Sequence, residues 1–299
     1  MIVKSIPLSH EEWLKLRAKN VSSTESSVLF GCNPYLGRLQ LWHDKRDQSI
    51  EQLAESERMK WGKRLEDSIA QGIAQDQGWI IQKKPEYIFD QKLRMGSSFD
   101  YQLSSGEILE IKNVDAISFN RKWTLNEDGT IEAPPHIEIQ VQHQLALADT
   151  DIAYIGALVG GNQVYLTKRV ANKNIIKKIK EKIEVFWMTI EEEVEPEINT
   201  FHDANFIESM LYKTKNKSID FRGNEDMKDL ARKYKDYSDH IKDMEEAKAV
   251  VKAKMMKLIG DNEKAFGDGF SITAGTVESK KIEYMRKSFR NFRINYSGE

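Results

Sequence analysis

Ser98-Phe99-Asp100, Tyr101-Gln102-Leu103, a turn-like Ser104-Ser105-Gly106 and then Ile108-Leu109-Glu110-Ile111-Lys112 form the stretch that decides how this chain is read. Leu109 and Ile111 alternate with Glu110 and Lys112. On a strand of period two, the apolar pair faces one side and the charged pair the other. With Asp100 just past the preceding strand, two carboxylates and an ammonium come to one edge of a sheet. Such carboxylates suit a hard divalent cation such as Mg²⁺, which takes oxygen ligands and keeps part of its water shell. Water held by that cation is activated for attack on a phosphodiester, with the lysine in reach of it. An exposed hairpin with one salt bridge shows the same short pattern, so the surrounding segments have to decide between the two.

Three segments bear on that choice. Trp61-Gly62-Lys63-Arg64-Leu65-Glu66-Asp67 opens a helical run in which Leu65, Ile69 and Ile73 recur at i+4, with Gly78 as the stop. Glu66 lies in its first turns, where a carboxylate is also favoured simply by the helix dipole. After Pro134-Pro135, the run His136-Ile137-Glu138-Ile139-Gln140-Val141-Gln142-His143-Gln144 is dense in amides that suit water or substrate. Near the start, Ser22-x-x-Glu25 reads as a capping box before Val28-Leu29 and Gly31. The free N–H groups and hydroxyls of such a helix start suit an anion, although a cap that only stabilises the helix has the same spacing.

Together these segments resemble the lambda-exonuclease-like, or YqaJ-like, phage recombination nucleases of the PD-(D/E)xK superfamily. The resemblance rests on Trp13-x-x-Leu16-Arg17 with Ser22-Ser23-Thr24-Glu25, Trp61-Gly62-Lys63-x-x-Glu66, Asp100 with Glu110-x-Lys112, and Gln140-Val141-Gln142-His143, in that order. It covers residues 10 to about 200, and the joint pattern is specific where each part is weak. It implies an α/β fold with a restriction-endonuclease-like core, a central mixed sheet flanked by helices. It also implies that Glu66, Asp100 and Glu110 ligate metal with help from the Ile111 carbonyl, that Lys112 positions the attacking water, and that Gln140 stands beside the site. Arg17 with Ser22 or Thr24 would hold the terminal phosphate of a DNA 5′ end, for which a planar guanidinium fork is well matched. Phe99 stands where the superfamily name has proline, and Asn113 follows the lysine where a small residue is frequent. Neither change removes a ligand.

Composition agrees with this reading without demanding it. The 299 residues favour one large domain plus an appendage. No apolar run is long enough to span a bilayer, and the opening Met1-Ile2-Val3-Lys4-Ser5-Ile6-Pro7 lacks a signal-peptide layout, so a cytoplasmic protein is expected. Cys32 is the single cysteine, which excludes an internal disulfide framework and a four-cysteine iron–sulfur cluster. With a net charge of −2, DNA contact calls for a local groove rather than a basic whole. Candidates are Lys168-Arg169 with Lys173, Lys177 and Lys178, and the tail residues Lys280, Lys281, Arg286, Lys287, Arg290 and Arg293, though solvated helix faces look the same.

Patterning predicts helices over 10–18, 23–31, 37–46, 59–77, 136–149 and 171–193, the last with Ile175, Ile179, Ile183, Phe186 and Ile190 on a core-facing stripe. Trp79–Ile81 and Tyr87–Phe89 read as strands, and 153–159 with 163–167 as a hairpin around Gly160-Gly161-Asn162. Asn120 to Thr130 reads as a polar loop, either plain or a DNA-facing flap.

The nuclease domain is expected to occupy 1–205, with a C-terminal extension over 206–299. In the extension, Met227, Leu230, Tyr234, Tyr237, Ile241, Met244, Val251, Met255 and Leu258 keep heptad spacing, interrupted by Lys248, as in a coiled-coil-like helix. Alternation in Lys264–Ala274 and Arg290–Tyr296 suggests a terminal strand pair.

The expected function is a Mg²⁺-dependent deoxyribonuclease, with Mn²⁺ an alternative ion. By resemblance it is a 5′→3′ double-strand exonuclease of a phage or prophage in a bacterial host, a homotrimeric ring that works with a single-strand annealing recombination protein. A structure-specific endonuclease of the same superfamily and a non-catalytic DNA-end-binding scaffold remain the alternatives.

Overall fold

Hydrophobic periodicity places the elements, and long-range pairing then arranges them around the stretch 98–112. The computed structural model describes residues 1–50, 55–211, 213–215, 217–279, 290, 292 and 294. In chain order the first elements are β1 (Ile2–Ser5), α1 (His10–Ala18), β2 (Val21–Ser22), a 3₁₀ turn (Ser26–Phe30), α2 (Arg38–Arg46) and α3 (Glu57–Gln77). Then come β3 (Ile81–Lys83), β4 (Tyr87–Asp90), β5 (Met95–Ser97), β6 (Tyr101–Leu103), β7 (Ile108–Val114), α4 (Ala116–Lys122), β8 (Thr124–Leu125), β9 (Ile131–Glu132) and α5 (Pro135–Leu145). They are followed by β10 (Ile152–Val159), β11 (Gln163–Val170), α6 (Lys173–Glu191), α7 (Phe201–Met210), α8 (Glu225–Ile259), β12 (Lys264–Gly267) and β13 (Phe270–Thr273).

The central sheet has the order β11-β10-β7-β6-β3 and is mixed. β10 runs parallel to β7, with Ile155 beside Glu110 and Ala157 beside Lys112, while the other neighbours are antiparallel. Strand β7 does what its alternation predicts. Leu109 and Ile111 pack with Ile69, Ala70 and Ile73 of α3, and Ile108 and Val114 join the larger core with Val141 of α5 and Ile179, Ile183 and Phe186 of α6. Gly156 of β10 allows the close approach of α3, because a Cβ there would overlap Ile73 Cδ1. Helix α3 ends where expected, at Gly78, whose φ of 65° is left-handed. The α6 stripe is buried from Ile179 to Trp187, but Ile175 at its start is exposed.

A second sheet, with the order β1-β4-β5-β2, was not legible in the patterning. Its parallel β2–β5 pair sets Ser22 beside Gly96 and so brings the N-terminal motif next to the strand that leads into Asp100. The helix expected over 23–31 is instead a turn and a 3₁₀ segment. Only half of the capping box forms: Glu25 Oε2 accepts from the Ser22 N–H (2.8 Å), while the Ser22 hydroxyl turns toward Arg17 and Thr24. The expected polar loop over 120–130 is the end of α4 and a two-stranded ribbon, β8–β9, with Asp115 capping α4 through the Ser118 N–H.

Contacts divide the chain into Met1–Ile207 and Glu208–Glu299. The second unit contains the 35-residue helix α8 and the hairpin β12–β13. A strand pair forms within Lys264–Thr273, across the turn at Gly267-Asp268-Gly269. A left-handed glycine at Gly269 (φ 80°) supplies the tight turn locally. Of the expected second strand, only Arg290, Phe292 and Ile294 are described, and the tail cations Lys280, Lys281, Arg286, Lys287 and Arg293 lie outside the described residues. Among the described residues, no helix is long and apolar enough to cross a membrane.

Candidate active site

Strand β7 presents Glu110 and Lys112 toward α5, and α5 answers with two amides one turn apart. Gln140 Nε2 donates to Glu110 Oε1 and Gln144 Nε2 donates to Glu110 Oε2, each at 2.6 Å. Lys112 Nζ donates to the same Glu110 carboxylate. Glu110 is thus buried with both oxygens engaged, while Lys112 remains 22% exposed. Asp100, on the short connection between β5 and β6, accepts from the Ile111 N–H at 2.8 Å. Glu66 enters from α3 and has Lys83 Nζ at 3.9 Å.

The electrostatics show that these acids share one space. Burial, then Glu110 and Glu66, push the Asp100 carboxyl well above the usual carboxylate range, against the pull of Lys112 and the Ile111 N–H. Burial and Glu110 also raise Glu66, opposed by Lys83 and Lys112. Burial works against the Lys112 charge, but Glu110, Asp100 and Glu66 outweigh it and raise its pKa. Such a site carries surplus negative charge, which a hard divalent cation offsets, and Glu66, Asp100, Glu110 and the Ile111 carbonyl are oxygen donors of the kind it takes. Among the described residues, no three such side chains converge closely enough to hold an ion as they stand. Glu110 instead directs its oxygens to Lys112, Gln140 and Gln144.

The N-terminal motif builds a second cluster. Arg17 Nη2 lies 3.1 Å from Ser22 Oγ and 3.4 Å from Thr24 Oγ1, and the two hydroxyls are 3.2 Å apart. The Arg17 guanidinium stacks over Trp13, 4.7 Å from the ring centre. Behind it sits an ion pair that residue spacing did not reveal. Lys45, almost fully buried, donates to Glu25 Oε2 and to the Arg17 carbonyl, each at 2.8 Å, and Glu25 Oε1 lies 3.5 Å from Arg17 Nη2. Burial alone would raise the Glu25 carboxyl, but Lys45, Arg17 and the Ser22 N–H hold it down to about 2.

Ser98 links the two clusters. Its hydroxyl accepts from Trp13 Nε1 at 2.8 Å, and its carbonyl accepts from Gln144 Nε2 at 3.3 Å. His143, part of the amide-rich motif, fastens the same region from beneath. Its Nδ1 pairs with the Ser26 hydroxyl and its Nε2 reaches the Gly96 carbonyl at 3.1 Å. Burial drives its pKa down to about 3. Gln142 is spent on structure as well, joining the Val170 carbonyl and the Asn172 N–H where β11 passes into α6.

The residues assigned to catalysis, metal and the 5′-phosphate fall in the two clusters: Glu66, Asp100, Glu110, Ile111, Lys112 and Gln140 in the acidic one, and Arg17, Ser22 and Thr24 in the other. Gln144 was read only as one of the amides of the run from His136 to Gln144, and Lys45 and Ser98 were assigned no role. The i+4 spacing from Gln140 was the available signal for Gln144, whereas Lys45 and Ser98 depend on contacts distant in sequence. The basic candidate Arg169 is not free for DNA. It forks onto Glu138 at 2.7 to 3.0 Å and donates to the Ile131 carbonyl.

The geometry is that of a mixed sheet whose central strand, rather than an edge of the sheet, presents Glu110 and Lys112 on one face. Residues 12–151, which include every assigned position, match the model of the YqaJ-like viral recombinase domain. The uncharacterised protein YqaJ of Bacillus subtilis (strain 168) is 29% identical over 172 residues, 54% of this chain and 50% of that protein. The chain thus spans about half the length of this curated relative. The alkaline exonuclease LHK-Exo of Laribacter hongkongensis superposes with a TM-score of 0.50 at 17% identity, over 62% of this chain and 94% of that one. Its structure in complex with dAMP gives the same score at 18% identity and the same coverage. The chain therefore resembles the YqaJ-like, lambda-exonuclease-like family throughout the region that carries the site, and shares its fold with these exonuclease structures.

Proposed function

We propose that this chain is a Mg²⁺-dependent deoxyribonuclease, with Mn²⁺ able to substitute, that digests duplex DNA 5′→3′ and leaves 3′ single-stranded tails for phage-type recombination. The reading rests on the joint placement of Asp100, Glu110 and Lys112 beside one face of the central strand, with Glu110 gripped by Gln140. The match of residues 12–151 to a viral recombinase domain supports it. Asp100, Glu110, Glu66 and the Ile111 carbonyl would hold the ion, whose Lewis acidity lowers the pKa of water and offsets charge on the phosphate.

The remaining roles belong to the chain itself. Lys112, kept protonated by its acidic neighbours, orients the attacking water and counters charge that develops on the phosphate. Gln140 and Gln144 fix the plane of the Glu110 carboxylate. Arg17, Ser22 and Thr24 take the terminal 5′-phosphate, two hydroxyls and a planar fork being matched to its oxygens. The further reading, by resemblance, is a trimeric ring in the bacterial cytoplasm that hands its tails to a single-strand annealing protein.

Incubation with linear duplex and with covalently closed circles, in Mg²⁺ or EDTA, tests the proposal. Loss of linear DNA alone, abolished by EDTA, is the expected result. Cutting of closed circles would make the chain an endonuclease, and binding of ends without any cutting would make it a scaffold.

A further inference from the structure

Helix α8 carries an apolar seam that the described residues leave largely open. From Met227 to Leu258 apolar residues recur at alternating spacings of three and four, with Lys248 the one exception, the pattern of a left-handed two-helix seam. The nine apolar residues of the seam are between 38% and 88% exposed. Tyr234 meets the Phe292 ring edge-on at 5.3 Å and still remains 47% exposed. A surface helix normally turns such a stripe toward a core. Thirty-five residues make this one about 52 Å long.

The order of residues within the seam selects its occupant. We infer that it is the α8 seam of a second copy of this chain, packed antiparallel about a two-fold axis between Lys242 and Asp243. In a parallel pair each residue meets itself. Lys248 would then bury its ammonium against a second Lys248, and Tyr234 and Tyr237 would each meet an identical ring. The antiparallel pair removes both conflicts. Ile241 faces Met244 in the two central layers, Tyr237 faces Lys248, and Tyr234 faces Val251, while the outer layers are apolar on both sides.

Each bulky ring then meets a small or flexible partner, as interdigitating layers require. The Lys248 stem lies along the seam with its charge beside a phenol rather than another ammonium. At the flanks this arrangement sets Lys233 opposite Lys254, but Lys233 is already paired with Asp229 at 2.8 Å, which blunts that repulsion. The contact is isologous and closes at two helices. It does not depend on the nuclease reading.

The test uses the full chain in a Cys32→Ser background. Tyr234→Cys and Val251→Cys versions, differently tagged, are prepared singly and by co-expression, then oxidised mildly. The expected result is a disulfide between unlike variants on co-expression and none within either alone, since antiparallel packing separates like positions by about 26 Å. Cross-linking of each variant with itself would show parallel packing and overturn the inference. Sedimentation supplies the second arm. The Ile241→Asp, Met244→Asp variant, with its helix content checked by circular dichroism, should form an assembly of half the wild-type mass. An unchanged mass would overturn the pairing, as would the absence of any cross-link.

Discussion

Gln144 holds the second oxygen of Glu110, at 2.6 Å, while its own position is tied to the Ser98 carbonyl. It therefore holds the oxygen that Lys112 and Gln140 leave and couples the carboxylate to the segment that accepts the Trp13 indole. Residues that orient a metal-binding carboxylate typically contribute about 10- to 100-fold in activity or ion affinity. Gln144→Ala should lower single-turnover cleavage by that amount and raise the Mg²⁺ concentration needed for half-maximal rate. An unchanged Mg²⁺ titration would remove Gln144 from the site.

Arg17 stands with two hydroxyls, stacked over Trp13 and 3.5 Å from Glu25. Arg17→Ala should reduce the preference for 5′-phosphorylated over 5′-hydroxyl duplex by about tenfold or more, the worth of a charge-assisted hydrogen bond. Rates on 5′-hydroxyl ends should change little. Equal loss on both substrates would mean that Arg17 serves the fold and not the end.

Lys45 is buried and Glu25 nearly so, and removal of one partner strands the other. Lys45→Met should destabilise the protein by about 3–5 kcal/mol, and the further change Glu25→Gln should restore much of that. Urea melts of the two variants beside the wild type check it. If the single variant is as stable as the wild type, the pair is not the support described here.

His143 makes its own contribution to stability depend on pH below neutrality. His143 has its pKa lowered from 6.5 to about 3, so the unfolded chain takes up a proton near pH 6.5 that the native ring refuses. Its contribution is complete above about pH 6.5 and is lost as pH falls toward 3, at up to about 1.4 kcal/mol per unit. Glu25, lowered to about 2 from 4.5, adds its own loss below about pH 4.5. Asp44, raised to about 6, and Asp100, raised by burial, act in the opposite sense over the same range, so the His143 share is read as the difference between the wild type and His143→Gln. The stability of the wild type relative to that variant should fall between pH 6.5 and 4.5, and a constant difference from pH 7.5 to 4.5 would show that His143 is not held neutral.

Much of the acidic site was legible because its logic is local. The alternation of Leu109 and Ile111 with Glu110 and Lys112 fixes two faces of β7 without any knowledge of partners, and Gly78 marks the end of α3 by its own backbone freedom. Where contacts come from afar the reading stopped. The two residues of β2 form a strand only because β5 lies beside them, and Ser22-x-x-Glu25 is drawn out of a helix by Arg17 and Lys45. Lys45 looks like any surface lysine until Glu25 and the Arg17 carbonyl enclose it. The alternation of Lys264–Ala274 was legible as strand, but the fold-back within it at Gly267-Asp268-Gly269 was not.

The most direct test of the account is a paired measurement on Lys112→Ala, which removes the ammonium bonded to Glu110 and leaves the carboxylates and amides in place. Affinity for 5′-phosphorylated duplex and the single-turnover cleavage rate in Mg²⁺ are measured on the same preparation. The account predicts affinity within about threefold of the wild type and cleavage slower by at least about 100-fold, the scale of a lost charge-stabilising donor. Cleavage at the wild-type rate would contradict it.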